Sequence, residues 1–437
     1  MDSPQGNDAF YKVMHALLYT SPNTGECHQD TQWLVSFLGE ISEIRADFDL
    51  NEWSHISTEH GLAISPVSAA KCLQETKRTQ VFLQAVKEAI EDRIAKGRSV
   101  RVLYAGTGPY GTLVLPLLAF LPSLNVRVTL IDIHPENIKA IQRMIRYFDL
   151  ADKIDSIHLA DATKWAPENS ESFDIIVSET MNVLLKSEPQ VWILANLVPY
   201  LSSSGALIPE CISLGAHFTI GCPDYSTLLT IGEFFRLDKA HALDINRNDN
   251  SRFSGNIVVP EAITPKHKLC LTTDIQAYKN HRLSLNDSNL NTPIVLPIRT
   301  DQLEPNQLIH FEYHKENQVG FVFHFPKPEK PLCAESIANF AERSPCGLYQ
   351  LTRAYQRCRL MRFGQKFEVS ELDSQRDELL INALNLSYHQ WLEILFRSDS
   401  INEVESHLHL LTDTLNDPDG VAKLNLALCE LDNRIQH

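Results

Sequence analysis

The stretch that decides the fold covers residues 173–188: Phe173-Asp174-Ile175-Ile176-Val177-Ser178-Glu179-Thr180-Met181-Asn182-Val183-Leu184-Leu185-Lys186-Ser187-Glu188. It begins with a short apolar run, which is typical of a buried parallel strand. The run ends at Glu179, and Glu188 follows nine positions later, immediately before Pro189. Open α/β sheets bind ligands beyond the carboxyl ends of their strands, so we expect Glu179 at the mouth of a site.

A loop that returns Glu188 to the neighbourhood of Glu179 would place two carboxylates in one pocket. Such a pair suits a planar cation with several N–H donors, above all a guanidinium, which carboxylates bind in bidentate fashion. Glu188 also has a purely structural interpretation, because Pro189 fits the first position of a helix and an acid ahead of it favours the helix dipole. The spacing alone leaves both interpretations open.

Apolar runs alternate with helical patterns on both sides of this stretch. Alternation of this kind predicts an α/β fold with a doubly wound, Rossmann-like parallel sheet. The predicted strands cover residues 99–105, 126–131, 154–159 and 173–178, and the predicted helices between and after them include 134–147 and 190–201.

The flanking segments have different patterns. Residues 1–60 are predicted to be helical, and one long helix is expected from Ser65 to about Ala95. Short strands with polar turns after Gly205 predict a β-barrel-like or antiparallel domain, the proline-rich segment 326–331 predicts a linker, and the remainder has helical spacing. The predicted domains are 1–95 (helical), 96–205 (Rossmann-like), 206–330 (barrel-like, for substrate binding or dimerisation) and 331–437 (helical).

Composition excludes several classes of protein. The 437 residues, 43% of them hydrophobic, predict two to four globular domains. No apolar run reaches the length of a membrane span, and we expect neither a signal peptide nor a membrane partner. The nine cysteines form no Cys-x-x-Cys pair, which predicts no disulfide framework, no metal site and a reducing, cytoplasmic location. The formal charge of −16 disfavours nucleic-acid binding.

A glycine-rich turn, residues 106–111 (Gly-Thr-Gly-Pro-Tyr-Gly), follows the first predicted strand. Glycines let the backbone approach a ligand closely, and the N-terminus of the helix that follows offers free N–H groups. Asp132 ends the second strand, where a carboxylate can accept from both ribose hydroxyls, and this much fits NAD and S-adenosylmethionine equally. Asp161 after the third strand could accept from an adenine amino group, although either aspartate could instead cap a turn or helix.

Three observations favour the methyl donor over a nicotinamide cofactor. They are Asp161, the carboxylate of Glu179 inside the expected pocket, and the run of strands that follows the sheet in place of a second strand–helix half. An NAD-dependent dehydrogenase is the alternative for the fold.

Several motifs together resemble a known family. Ser178-Glu179-Thr180-Met181…Glu188 resembles the double-glutamate loop of the protein arginine methyltransferases, a family of class I S-adenosylmethionine-dependent enzymes, including the spacing of nine. The match covers roughly residues 64–325. Other matching segments are residues 103–109 (the glycine motif, most like the symmetric-dimethylating branch), 161–165 (the adenine motif), 73–79 (the preceding helix) and 204–209 (the crossing into the barrel).

The resemblance implies a role for each of these residues in methyl transfer to an arginine guanidinium. On pattern alone Arg78 would be a solvated charge among polar neighbours. In the donor site, Arg78 would bind the methionine carboxylate, Gly106 and Gly108 would line the methionine moiety, Asp132 would bind the ribose and Asp161 the adenine. Glu179 would contact both the donor and the acceptor. Glu179 and Glu188 would form the catalytic guanidinium clamp, and Met181 would line the substrate pocket.

The departures from the family concern the acceptor. The family's Thr-His-Trp loop has no counterpart, and Thr180 and Asn182 stand where aromatic and glycine residues are usual. This favours slightly a free or unusual arginine-like substrate over a peptide-linked arginine. The alternatives are a methyltransferase acting on an amine or carboxylate of a small intermediate, and a vestigial fold that serves as a protein-binding scaffold. The family dimerises through an arm on its barrel, and residues 222–256 are the candidate for a homodimer arm.

Overall fold

The structure is a computed structural model. It describes residues 4–20, 25–46, 55–94, 99–168, 172–220, 228–247, 253–264, 267–296, 303–314, 319–325, 354–359, 371–398, 403–404 and 407–408.

Helices and strands alternate through the first half, and strands dominate the region after residue 200. The α-helices are α1 (Pro4–Tyr19), α2 (Gly25–Ser42), α3 (Pro66–Cys72), α4 (Thr76–Ile94), α5 (Leu115–Phe120), α6 (Pro135–Tyr147), α7 (Gln190–Leu197), α8 (Lys239–Asn246), α9 (Glu371–Ala383) and α10 (Tyr388–Arg397). The strands are β1 (Ile56–Thr58), β2 (Gly61–Ala63), β3 (Val100–Ala105), β4 (Val126–Asp132), β5 (Ile154–Leu159), β6 (Phe173–Ser178), β7 (Leu201–Ile208), β8 (Cys211–Thr219), β9 (Leu228–Asp238), β10 (Ser254–Val258), β11 (Lys268–Tyr278), β12 (His281–Leu283), β13 (Ile294–Val295), β14 (Leu308–His314) and β15 (Gly320–His324).

The central sheet has the strand order β5-β4-β3-β6-β7, and every neighbouring pair is parallel. The predicted α/β class and parallel sheet are confirmed. Strand order reverses between β3 and β6, and the crevice beyond their carboxyl ends is where open α/β sheets bind ligands. Strand β6 is buried at all six positions, as its apolar sequence predicts.

Three local predictions were wrong. Strand β7 extends the parallel sheet, so the predicted boundary after residue 205 lies inside a strand. The helix expected from Ser65 to about Ala95 is two helices, because α3 ends in a tight turn at residues 73–75, where Glu75 N–H bonds the Cys72 carbonyl. Residues 56–60, inside the segment predicted to be helical, belong to the antiparallel hairpin β1–β2.

The later strands form two antiparallel sheets. One has the order β12-β11-β8-β9 with β13 also paired to β11, and the other has the order β10-β14-β15. Aromatic side chains join them: Phe234 of β9 lies 5.2 Å from both Phe311 and Phe321, measured between ring centroids. Among the described residues this is a pair of packed open sheets, and the predicted barrel closure is not observed. Strand β9, in the candidate dimer arm, is hydrogen-bonded to β8, and dimerisation stays a prediction.

The C-terminal helices have a hydrophobic core of their own. Trp391, Leu395 and Leu380 are buried there with Tyr355 and Val404, and this cluster is distinct from the large one that runs from α1 to residue 319. Helices α9 and α10 agree with the predicted helical character. The predicted linker at 326–331 and most of the predicted helical region after residue 398 lie outside the described residues.

The described residues contain neither a candidate membrane span nor a cluster of metal ligands. None of their helices combines the length and apolar character needed to cross a bilayer. Nor do three or more His, Cys, Asp or Glu side chains in this part of the chain converge closely enough to hold a metal ion.

Because the C-terminal helices have a separate core, we expect them to unfold independently of the central sheet. Trp391 is 1% exposed, and truncating a buried tryptophan costs about 3–5 kcal/mol. We expect Trp391→Ala to accelerate amide hydrogen exchange in residues 371–398 while β3, β4 and β6 stay protected. Ile176→Ala in β6 is the matched control and should produce the reverse pattern. Loss of protection in the central sheet of Trp391→Ala would mean that the two clusters unfold as one unit.

Candidate functional site

A cavity of about 330 Å³ lies at the carboxyl ends of the central strands. It brings together all the residues that the sequence singled out: Arg78, Gly106, Gly108, Asp132, Asp161, Glu179, Met181 and Glu188. They come from α4, from the end of β4, from the segments after β3, β5 and β6, and from the residue before Pro189. Thr58, Leu62, Asn289 and Leu290 complete the wall.

The glycine turn after β3 is shaped by close contact with the loop after β6. Gly106 has φ +71°, and a Cβ atom at this position would collide with the Cγ2 atom of Thr180. Only glycine combines this left-handed conformation with so close an approach. The turn and the Glu179 loop are therefore packed directly on each other.

Asp132 holds the glycine turn in place. Its Oδ2 atom accepts hydrogen bonds from Gly108 N (2.9 Å) and Thr107 Oγ1 (3.1 Å), and its Oδ1 atom accepts from His134 N (2.9 Å) and Asn137 Nδ2 (3.0 Å). A carboxylate has about four acceptor positions, so these four donors occupy them. A ribose would have to compete with the chain's own donors, and Asp132 thus has a structural role besides the predicted one.

Asp161 uses one oxygen for local structure. Its Oδ1 atom accepts from Thr163 N (2.9 Å) and Thr163 Oγ1 (2.7 Å). Oδ2 accepts no hydrogen bond from the described residues, and the side chain is half-buried at the cavity wall. One acceptor is therefore available to a ligand.

Arg78 is buried, contrary to the solvated position that its polar neighbours suggest. It is 7% exposed, its NH1 group donates to Glu75 Oε1 (2.8 Å), and its NH2 group forms an ion pair with Glu179 Oε1. Glu75 Oε2 also accepts from Asn289 N (2.8 Å). Burial acts to lower the pKa of Arg78, but the Glu179 and Glu75 carboxylates outweigh it and raise that pKa further. The guanidinium therefore stays charged.

Carboxylates outnumber cations around this guanidinium. Burial raises the pKa of Glu179 to about 7, with Arg78 opposing the rise and Glu75 adding to it. Burial likewise raises the pKa of Glu188 to about 7, and the nearby Glu179 adds to that rise. Glu75, Glu179 and Glu188 share the single positive charge of Arg78 in a poorly solvated cavity. The excess of carboxylates therefore favours a cationic ligand in this cavity.

The loop that carries Glu188 has a strained backbone. Leu184, Leu185 and Ser187 have φ values of 57°, 54° and 71°, in the left-handed region that side chains disfavour. Hydrogen bonds from the later sheets compensate: Leu184 N donates to Thr273 Oγ1 (3.1 Å), and Tyr313 Oη donates to the Leu185 carbonyl (3.1 Å). The antiparallel sheets thereby fix the course of the loop between the two glutamates.

The β1–β2 hairpin closes the cavity beside Glu188. Leu62 N donates to the Ser187 carbonyl (2.6 Å), and the ring of His60 stacks on Trp192 at 4.7 Å between centroids. Gly61 has φ +134°, and a Cβ atom there would lie 2.7 Å from the Ser187 carbonyl oxygen. The hairpin therefore depends on glycine to pack this closely on the Glu188 segment.

Sequence reasoning missed several cavity residues. Glu75 had a signal, its position three residues before Arg78 on one helical face. Cys72 and Tyr104 had no sequence signal. Burial raises the pKa of the Cys72 thiol to about 12, so this residue lines the cavity as an unreactive thiol. Gln190, which lies outside the cavity wall and bridges the two flanks of Glu179, also had no signal.

Comparisons with known proteins add little. No protein-family model matches the chain, and no curated protein matches it. Among solved structures, the PRMT1 enzyme–prozyme heterotetrameric complex of Trypanosoma brucei with AdoHcy aligns with a TM-score of 0.37 and 13% identity, over 55% of this chain and 85% of that chain. A TM-score below 0.5 establishes neither fold nor function, so the assignments below depend on the cavity itself.

The raised pKa of Glu188 predicts a dependence of stability on pH. Between its ordinary value of 4.5 and about 7, the folded state binds the proton more tightly than the unfolded state, so stability falls as pH rises through this window. Glu188→Gln removes that loss. We expect the variant to match the unliganded wild type near pH 5 and to exceed its free energy of unfolding by about 1–3 kcal/mol at pH 8.

Denaturant unfolding at the two pH values measures this difference. Glu168→Gln, at an exposed glutamate outside the cavity, is the control and should show none. Equal stability of wild type and Glu188→Gln at pH 8 would mean that Glu188 is solvated.

Proposed function

We propose that the protein is an S-adenosylmethionine-dependent N-methyltransferase acting on the guanidinium group of arginine or an arginine-like compound. The observation that carries the proposal is the pair Glu179 and Glu188: two half-buried carboxylates with raised pKa values, in excess of the positive charge of Arg78 and in the same cavity as the glycine turn. A guanidinium supplies the missing positive charge and a planar set of N–H donors that two carboxylates can accept.

The cavity residues fit the methyl donor. The donor supplies an electrophilic methyl group on a sulfonium centre when it is bound. Gly106 and Gly108 offer a backbone surface without side chains, which lets a methionine moiety approach closely. Arg78 is the cation for its carboxylate, and Oδ2 of Asp161 is an acceptor for its adenine amino group. Asp132 keeps the glycine turn in the receiving shape and borders the ribose position.

The two glutamates would orient and activate the acceptor. A guanidinium has a pKa above about 12, so its nitrogen is a poor nucleophile while the charge is delocalised. Carboxylates on both sides localise that charge away from the attacking nitrogen. One of them then accepts the proton released on methylation as a general base. Holding the acceptor nitrogen in line at about 3–3.5 Å supplies much of the remaining rate enhancement.

The acceptor is proposed to be free arginine or a similarly small compound in preference to a peptide. The hairpin packs on the backbone at Ser187 and closes one side of the cavity beside Glu188. An amine acceptor is the second candidate, because it too is cationic; a carboxylate acceptor would be repelled by three glutamates. A vestigial scaffold, the remaining alternative, need not bind the donor, so donor titration separates it from either enzyme.

The proposed role of Arg78 predicts a selective defect. Arg78→Ala should weaken binding of S-adenosylmethionine at least tenfold, through loss of a charge-assisted hydrogen bond of about 1.5–3 kcal/mol. Binding of adenosine, which has no carboxylate, should change less than threefold. Calorimetric titration of both ligands on one folded preparation provides the comparison. Equal losses for the two ligands would mean that Arg78 supports the fold and does not contact the donor.

The proposed clamp predicts a defect of the opposite kind. Glu179→Gln and Glu188→Gln keep size and some hydrogen bonding but remove the charge, and each should lower turnover with arginine at least 10²-fold. Donor affinity should stay within threefold, and the double variant should be scarcely worse than the worse single variant, because the residues act as a unit. Methyl transfer from labelled donor to free arginine, an arginine peptide and a small amine measures turnover. Full activity of Glu188→Gln would remove that residue from the site.

A further inference from the structure

Gln190 connects the two flanks of the Glu179 turn through one buried carboxamide. Its Oε1 atom accepts from Thr180 N (2.8 Å) and Thr180 Oγ1 (2.7 Å), and its Nε2 atom donates to the Ser178 carbonyl (2.9 Å). The residue is 0% exposed. Ser178 and Thr180 are the immediate neighbours of Glu179, so the carboxamide fixes the backbone on both sides of that carboxylate.

Gln190 also lies two residues after Glu188 and begins α7. Between the two glutamates the loop has three left-handed residues, a conformation that the chain does not keep without external support. The later sheets support the middle of this loop, and Gln190 joins its end to its beginning. The carboxamide therefore links the two backbone segments from which the glutamate side chains project.

We propose that Gln190 is a positioning residue that sets the placement of Glu179 relative to Glu188 and thereby the fit of the cavity to a planar cation. This inference rests on the proposed function for its catalytic consequence, and on the three hydrogen bonds for its structural one. The side chain acts through the backbone of its neighbours and does not line the cavity.

A small displacement at this point has a large effect on catalysis. Two carboxylates that bind one planar cation must keep their separation and orientation, and a misplacement of about 1 Å can cost about 10²-fold in rate. None of the donor-binding residues on α4, at the end of β4 or in the segments after β3 and β5 takes part in these hydrogen bonds. Loosening of Gln190 should therefore affect acceptor turnover far more than donor affinity.

Two variants separate positioning from general stability. Gln190→Met keeps the side-chain length but removes all three hydrogen bonds, and we expect kcat with arginine to fall at least tenfold while the donor Kd changes less than threefold. Gln80→Met is the matched control, because Gln80 is also 0% exposed and also donates to a backbone carbonyl, that of Thr20 (3.0 Å), but lies outside the cavity wall. It should leave kcat and donor affinity unchanged.

A second variant, Gln190→Glu, should make kcat relative to wild type depend on pH, which a purely structural role of Gln190 would not do. A neutral carboxylic acid has one O–H donor and one carbonyl acceptor, so it can reproduce the bonds to Ser178 and Thr180, whereas the ionised form has no donor and would face the Ser178 carbonyl. Burial favours the neutral form. We expect kcat of this variant to lie within threefold of wild type at pH 6 and at least tenfold below it at pH 9. A ratio that does not change with pH would overturn the inference, and this variant serves if Gln190→Met does not fold.

A measurement that needs no turnover keeps the two proposals distinguishable. The titration of Glu179 and Glu188 can be followed through the carbon resonances of carboxyl-labelled glutamate, with the two Glu→Gln variants for assignment. In Gln190→Met the midpoints should move from about 7 toward the ordinary glutamate value of 4.5, because displaced carboxylates separate and gain water. Unchanged midpoints would overturn the positioning role. A wild type that methylates no guanidino compound would overturn the proposed function alone.

Discussion

One buried guanidinium, that of Arg78, lies among three carboxylates, which is more negative charge than it can neutralise. Glu75 and Glu179 contact it directly, and Glu188 lies close enough for its pKa to respond to it. Ionised carboxylates that outnumber the positive charge beside them are unstable where water is scarce, so Glu179 and Glu188 must either bind protons or be neutralised by a second cation. The raised pKa values of both glutamates express the first outcome, and a cationic acceptor would produce the second. The chemistry proposed here follows from this imbalance of charge.

The fold is arranged so that this imbalance persists. Helix α4 brings Arg78 from one side, the turn before α4 brings Glu75, and the end of β6 brings Glu179 from the sheet. Four donors hold Asp132, and through it the glycine turn, so that part of the wall cannot collapse onto the charged groups. Because the charged groups are already assembled in the folded protein, the free energy of bringing them together is spent during folding. Catalysis then needs no large rearrangement.

The sequence predicted those features that repeat along the chain. Parallel strands are buried on both faces, so β3, β4 and β6 are continuous apolar runs, and the residues at their carboxyl ends converge by topology alone. Strand β7 was missed because its first half, Leu201-Ser202-Ser203-Ser204-Gly205, lacks such a run, and β1 and β2 were missed because three-residue strands carry no period. The C-terminal helices were predictable in character, since amphipathic spacing needs no tertiary information.

Features that depend on tertiary contacts could not be predicted. The burial of Arg78 follows from the position of Glu179, which lies 101 residues away in sequence, and its own neighbours Lys77 and Thr79 suggest an exposed face. The four hydrogen bonds to Asp132 depend on how tightly the glycine turn folds back on it. Gln190 is an ordinary first residue of a helix until its carboxamide is placed against Ser178 and Thr180.

The antiparallel sheets contribute to the site through backbone support. They contact the glutamate loop at Leu184 and Leu185, where the backbone is left-handed and would relax if released. Glu179, by contrast, follows the parallel strand β6, and the Gln190 carboxamide bonds the backbone on both sides of it. The two carboxylates therefore derive their positions from different parts of the fold, one from the central sheet and one from the sheets beyond it. A cation site assembled in this way is lost when either part moves, which is a physical reason for the two kinds of sheet to remain joined in a single core.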